Sequence, residues 1–287
     1  MKLPRLKRAT IDAPPTFNEH SPLIIGHRGA SMVAPENTLA AFARALQDGA
    51  DGIEFDVRRA RDGVPVVIHD ATIQRTGRRN VPVASLSSSE LAAIDVGSWF
   101  NRCFPARARD EYARESVPTL SRVFELIAPH CPVLYVELKC EGHEITPLVR
   151  RVVAEVRAAG VEQRVVIESF TLAAVKEAKR IAPDLRTAAA FERRLGRPLL
   201  SSPVLLRKAL DCQADQLALQ RSLVNRHTIE AASTAGLHTV VWTVDQPSGV
   251  KRALALGLHA IITNDPAGMR AALDNFREQS GAHNRRT

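Results

Sequence analysis

Residues 52–70 read GIEFDVRRARDGVPVVIHD. Two apolar, β-branched runs, GIEFDV (52–57) and VPVVIH (64–69), are separated only by RRARDG. A parallel crossover needs about ten or more residues, whereas a short link ending in Asp62-Gly63 has the chemistry of a hairpin. The second run should therefore turn back antiparallel on the end of the first. Counting outward from Asp62-Gly63 places His69 roughly opposite Asp56. VPVVIH is then an excursion and not a member of the main strand series.

Similar runs recur on both sides of this stretch: LIIGH (23–27), VLYVEL (133–138), RVVIESF (164–170), RTAAAF (186–191), QLALQ (216–220), HTVVWTV (238–244) and HAIITN (259–264). Helical patterns lie between most of them, such as NTLAAFARALQDG, ITPLVRRVVAEVRAAG and SGVKRALALG, each with a cap residue or a closing glycine. Strands read as continuous apolar runs when both faces of a parallel sheet are covered. Without the excursion, eight parallel strands remain, each leading to a helix or loop, which is the count of a (β/α)8 barrel of the TIM type. Residues 58–118 form a small insertion after the second barrel strand, with a short helix at SSSELAAID and SWF (98–100) packed beneath it. The barrel proper spans 21–275. Residues 1–20 read as a flexible basic leader and 276–287 as a polar tail that frays.

Composition sets limits on the class. The chain has 287 residues, of which 45% are apolar and 24% charged. That is enough for a core that needs no disulfide or metal to hold it. No apolar run reaches the ~18 residues of a membrane span, and no apolar segment follows the basic start as it would in a secretory signal. Cys103, Cys131, Cys140 and Cys212 form no CxxC pair, so free thiols in a reducing, cytoplasmic setting are expected and a zinc site is not. The formal charge of +8 comes mostly from scattered arginines. No basic, aromatic-rich motif of the nucleic-acid kind is present, so the expected partner is a small anionic molecule and not nucleic acid. Oligomeric state is left open.

In a barrel of this kind, chemistry sits at the C-terminal ends of strands. Those ends carry His27 and Arg28, Glu54 and Asp56, His69 and Asp70, Glu137 and Lys139, and later Glu168, Gln220, Trp242, Asp245 and Asn264. Glu54 and Asp56, two apart on a strand, share a face and repel unless a cation lies between them. With Glu137 they make a hard oxygen site for one divalent cation, Mg²⁺ or Ca²⁺. His27 and His69 flanking it are a candidate acid–base pair. Arg28 and Lys139 add positive charge suited to phosphate, and Trp242 is a candidate wall. Each residue alone has a structural reading: a rim carboxylate, a packed histidine, or a helix cap in the case of Asp245. What argues for a site is their convergence at one end of one barrel.

Taken together, HRGASMVAPENTLAAF, GADGIEFDVRRARDGVPVVIHD, VELK, WTVD and GLHAIITNDP resemble the glycerophosphodiester phosphodiesterase family over residues 23 to about 270. The resemblance implies a phosphodiesterase barrel that releases glycerol 3-phosphate and an alcohol. In it Glu54, Asp56 and Glu137 bind the metal, His27 and His69 are catalytic, and Arg28 and Lys139 hold phosphate. PENT reads mainly as a helix start, and Glu36, Asn37 and Asp70 are candidates to support the metal site. Two departures bear on substrate preference: His259-Ala260 where the family has Asp-Gly, and Asp245 where it often has Asn. Which histidine is the base is left open, as is attack by water against attack by the neighbouring glycerol hydroxyl. Two rivals are head-group release from lysophospholipids, with Trp99, Phe100 and Phe104 lining an acyl channel, and a barrel that binds a phosphate ligand without turnover.

Overall fold

The computed structural model describes residues 21–193, 196 and 200–283. The basic leader and the last four residues of the polar tail lie outside them. Eight parallel strands close on themselves: β1 Leu23–His27, β2 Gly52–Arg59, β4 Val133–Leu138, β5 Val165–Ser169, β6 Arg186–Phe191, β7 Gln216–Gln220, β8 His238–Trp242 and β9 Ala260–Thr263. Pairing of β1 with both β2 and β9 completes the ring. Between β2 and β4, β3 (Pro65–Val67) pairs antiparallel with the end of β2, the hairpin expected from the short link, and its other edge makes a single bridge from Val66 to Thr119.

Eight helices follow the barrel strands, from Leu39–Gln47 to Pro266–His283. Thr38 caps the first by accepting from Ala41 N at 3.2 Å. Gly160 and Gly257 end two others in the left-handed region, as a cap glycine does. The final helix takes in residues 276–283, so the stretch read as a fraying tail is helical up to His283.

Side chains alternate along each barrel strand. Ile53, Phe55 and Val57 face the helices with Leu134, Val136, Val165 and Ile167. Ile25, Tyr135, Val166, Ala188, Ala218, Val240 and Ile262 fill the interior. The Tyr135 hydroxyl donates to Gln216 Oε1 across that interior at 2.9 Å. The same alternation carries His27, Glu54, Asp56, Glu137, Glu168 and Trp242 inward at the C-terminal end. These side chains are thus placed by strand period.

The hairpin register differs by one residue from the count made on the sequence. Ala60 N donates to Val64 O and Gly63 N to Ala60 O, with Gly63 at φ +80°. The link is therefore a three-residue loop with glycine in the left-handed position. Ile68, not His69, pairs with Asp56, through a 2.9 Å bond to its carbonyl. His69 lies one residue further along.

The insertion has its own small core of Ile68, Ile73, Val83, Leu91, Ile94, Val96 and Val117. SWF does not pack beneath SSSELAAID. It opens a separate helix, Ser98–Cys103, whose Phe100 packs with Tyr112 against Ala34 and Ala41 of the barrel. The reason is aromatic pairing: Phe100 meets Tyr112 edge to face at 5.8 Å, an arrangement favoured by ring quadrupoles.

Candidate functional site

Strand register brings the carboxylates together. His27 sits beside Glu54 on β1–β2, Asp56 beside Glu137 on β2–β4, and Glu137 beside Glu168 on β4–β5. One ligand oxygen from each of Glu54, Asp56 and Glu137 lies within 4.8 Å of the others, and all three residues are buried. Glu54 Oε1 has no hydrogen-bond donor among the described residues. Among the described residues, Asp56 Oδ1 and Glu137 Oε1 have only the Lys139 ammonium as an ion-pair partner. Buried carboxylate oxygens left this way are costly, and three of them at this spacing are a donor set that fits one hard divalent cation.

The loop after β1 is shaped to serve this cluster. Arg28 adopts φ +54° and Gly29 φ +85°, so the chain reverses as soon as it leaves the strand. A Cβ on Gly29 would stand 2.5 Å from the Ala41 carbonyl carbon. The turn directs Arg28 N onto Glu54 Oε2 at 3.0 Å and Arg28 Nε to 3.1 Å from Asp56 Oδ2. Asn37, at φ +58°, donates from Nδ2 to Asp56 Oδ2 at 2.8 Å and accepts from Asp56 N at 3.2 Å. PENT is therefore both a helix start, through Thr38, and a brace for Asp56. Glu36 accepts from Arg28 at 2.9 Å and from both terminal nitrogens of Arg75 at 2.7 and 2.8 Å. Arg75 lies in the insertion and had no signal in the sequence; its Nε also donates to Asp70 Oδ2 at 2.7 Å.

Each histidine is anchored through Nδ1. His69 Nδ1 stands 2.7 Å from Asp70 Oδ1, and the His69 carbonyl accepts from Arg58 Nε at 2.7 Å. His27 Nδ1 stands 2.7 Å from Asn264 Oδ1, while its Nε2 is on the carboxylate side, 3.9 Å from Glu54 Oε2.

The electrostatics follow from four buried carboxyls served by two cations. Burial first, and the neighbouring carboxylates second, push Glu54 well above its ordinary range and Glu137 and Glu168 up to about 8. Against the same burial, Arg28 and then Lys139 hold Asp56 below its usual value. Burial, aided by Arg28, lowers His27 to about 4, so its imidazole is neutral at pH 7. Burial also lowers His69, with Asp56 and Asp70 opposing.

These groups open onto a cavity of about 980 Å³ at the C-terminal mouth of the barrel. His27, Arg28, Glu54, His69, Glu137, Lys139 and Trp242 all border it. Trp242 meets Phe170 edge to face at 5.3 Å, and Lys139 Nζ lies 5.3 Å from the Phe170 ring. Glu168, one of the strand-end residues read from the sequence, also borders the cavity, and so does Phe170, which ended the same predicted strand with nothing to tie it to this wall. Trp99, Phe100 and Phe104 do not border the cavity; Phe100 is fully buried in the insertion packing. The acyl channel that the lysophospholipid rival needs from them does not line this cavity. Asp245 does not cap the next helix, whose N-cap is Gln246.

Comparison with known proteins agrees with this geometry. The model of the glycerophosphoryl diester phosphodiesterase family matches residues 27–268. A glycerophosphodiester phosphodiesterase of Caldanaerobacter subterraneus subsp. tengcongensis is 33% identical over 245 residues, 85% of this chain and 94% of the relative. The crystal structure of a glycerophosphodiester phosphodiesterase from Agrobacterium tumefaciens superposes with TM-score 0.71 at 30% identity, covering 87% of this chain and 99% of that one. An Oleispira antarctica phosphodiesterase, solved with the product sn-glycerol-3-phosphate, gives TM-score 0.78 at 26% identity, covering 88% and 97%.

Proposed function

The chain belongs to the glycerophosphoryl diester phosphodiesterase family, and on that premise we propose a role for each residue of the site. The enzyme hydrolyses glycerophosphodiesters, consuming water and giving sn-glycerol 3-phosphate and an alcohol. The observation that carries the assignment of roles is the buried triad of Glu54, Asp56 and Glu137, each with an oxygen that accepts no hydrogen bond among the described residues, at the floor of a cavity that Glu54 and Glu137 border.

Glu54, Asp56 and Glu137 hold one divalent cation, Mg²⁺ or Ca²⁺. When bound, it supplies charge neutralisation and polarises a phosphoryl oxygen. Arg28 and Lys139, which already pair with Asp56, orient the phosphate by their remaining charge. Trp242, with Phe170, walls the alcohol side. Asn37 and Glu36 keep Asp56 and Arg28 in place, and Asp70 does the same for His69.

The two histidines divide the proton work according to what backs them. His27 leans on a neutral amide and is neutral at pH 7, so its Nε2 is free to take the proton of the attacking oxygen, either water or the neighbouring glycerol hydroxyl. In the second case water then opens the cyclic phosphate to the same product. His69 is lowered by burial, but the Asp70 carboxylate on its Nδ1 works against that and favours the imidazolium; in that form it gives its Nε2 proton to the departing alkoxide.

The ligand is a small molecule, and the dispersed basic surface is given no nucleic-acid role. No helix of the described residues is long and apolar enough to cross a membrane. Four free cysteines, three of them buried, suit the cytoplasm.

The substrate class is tested by comparing glycerophosphocholine with lysophosphatidylcholine at equal concentration. The proposal expects kcat/KM at least about tenfold higher for the short diester, a factor that corresponds to about 1.4 kcal/mol. A preference for the lysolipid overturns it.

A further inference from the structure

Asp245 lies outside every contact made by the metal triad, yet its carboxylate is fully committed. Oδ1 accepts from Thr263 Oγ1 at 3.1 Å and from Asn264 N at 2.8 Å. Oδ2 accepts from Asn264 Nδ2 at 2.8 Å. An ionised carboxylate is acceptor-only, so the amide of Asn264 must turn its NH₂ to Asp245. Its carbonyl oxygen then faces the other way, where it accepts from Ser31 Oγ at 2.8 Å and lies 2.7 Å from His27 Nδ1. A carbonyl oxygen cannot donate, so Nδ1 of His27 carries the proton and Nε2 bears the lone pair.

We propose that Asp245 is a positioning residue that fixes the tautomer of His27 through Asn264, and so sets this histidine up as a base. The inference rests on the acid–base role given to His27 above. It also explains why Asp245 does not serve the helix that follows it: its oxygens are taken by Thr263 at the end of β9 and by Asn264 just beyond it. Neither Asp245 nor Asn264 reaches the cluster. Both act through the ring they orient, as groups behind a functional imidazole do.

The geometry makes an unusual demand of Asp245→Asn. Thr263 Oγ1 and Asn264 N both donate to the Oδ1 position, which holds the oxygen of the new amide there. The new NH₂ group then points at Asn264, which must flip to accept from it. The flip turns the Asn264 NH₂ toward His27 Nδ1, which becomes the acceptor and moves the proton to Nε2. A base with its proton on the wrong nitrogen is disabled without being displaced, and mis-set tautomers of this kind cost up to about 10⁴-fold in kcat. The double exchange Asp245→Asn with Asn264→Asp restores an acceptor opposite Nδ1 and keeps every donor paired.

The test is nitrogen NMR of ¹⁵N-histidine-labelled protein with Mg²⁺ present, with His27 identified by its loss in His27→Gln, alongside kinetics on glycerophosphocholine. Wild type and the double exchange should show His27 protonated at Nδ1, and Asp245→Asn should show it at Nε2. In that single variant kcat should fall about 10²- to 10⁴-fold with KM within about threefold. The double exchange should recover kcat to within about tenfold of wild type. An Nδ1-protonated His27 in Asp245→Asn overturns the proposal, and so does a double exchange that folds but stays as impaired as the single variant. Should the single variant not fold, the double exchange alone decides, since the proposal requires it to be Nδ1-protonated and active. Absence of turnover in the wild type would count against the assigned function and leaves the tautomer comparison able to decide this inference.

Discussion

Glu137 and Glu168 stand side by side on neighbouring strands, both buried and both shifted in pKa to about 8. Such a pair prefers protons unless a cation takes their place. Their raised values put the exchange within an accessible pH range. At pH 6 the two groups are protonated and a cation must displace protons; at pH 9 they are ionised. Affinity for Mg²⁺ or Ca²⁺ should therefore rise from pH 6 to 9 and level off above, with protons released on binding below pH 8. Calorimetry in two buffers of different ionisation enthalpy checks this. Affinity that is flat across the range contradicts it.

Glu168 offers a stability test independent of turnover. A carboxyl whose folded pKa is raised contributes stability that is fully present below its unfolded value near 4.5, and that is lost as pH rises through the folded value. Glu168→Gln removes the charge and keeps the shape. The metal-free variant should melt higher than metal-free wild type at pH 9 and at nearly the same temperature at pH 5. Equal melting temperatures at pH 9 would show that the Glu168 charge is not penalised.

The division of labour between the histidines predicts an asymmetry in leaving groups. His27→Ala and His69→Ala should each cost about 10²- to 10⁴-fold on glycerophosphocholine. With a p-nitrophenyl diester, whose leaving group needs no proton, the His69→Ala loss should shrink to within about tenfold of wild type, while His27→Ala stays impaired. The reverse pattern exchanges the two roles.

Asn37 braces Asp56 from both its amide and its carbonyl side. Removing a group that supports a metal ligand costs about 10–100-fold in affinity or activity. Asn37→Ala should weaken Mg²⁺ binding by that amount in a titration. Binding unchanged within about twofold would remove Asn37 from the support of the site.

Much of this was legible in the chain because strand period does the positioning. Glu54 and Asp56 could be placed on one face by their spacing alone, and Glu137 joined them once VLYVEL was read as the neighbouring strand. Eight strands, each with its helix, followed from discarding VPVVIH. What failed to show depended on details that periodicity does not encode. The hairpin register hung on whether the loop held two residues or three, and Gly63 in the left-handed position moved His69 by one. Asp245 looked like a helix cap because Asp before a helix usually is one. Only the closing of β8 against β9 shows that Thr263 and Asn264 claim it. Arg75 lies in the irregular insertion, yet its fork joins Glu36 to Asp70 across 34 residues of chain. SWF was visible as an aromatic cluster, but its partner Tyr112 was not. Without that partner the cluster could as well have lined a channel as filled a core.

The central claim is that the buried carboxylate triad and the two histidines together cleave a glycerophosphodiester. Release of sn-glycerol 3-phosphate from glycerophosphocholine measures it most directly, with EDTA, then with Mg²⁺ or Ca²⁺ restored, for wild type, Glu54→Ala and His69→Ala. The account predicts release that EDTA abolishes, that one of the two cations restores, and that falls at least about 10²-fold in both variants. Release that persists undiminished in EDTA, or in Glu54→Ala, would contradict it.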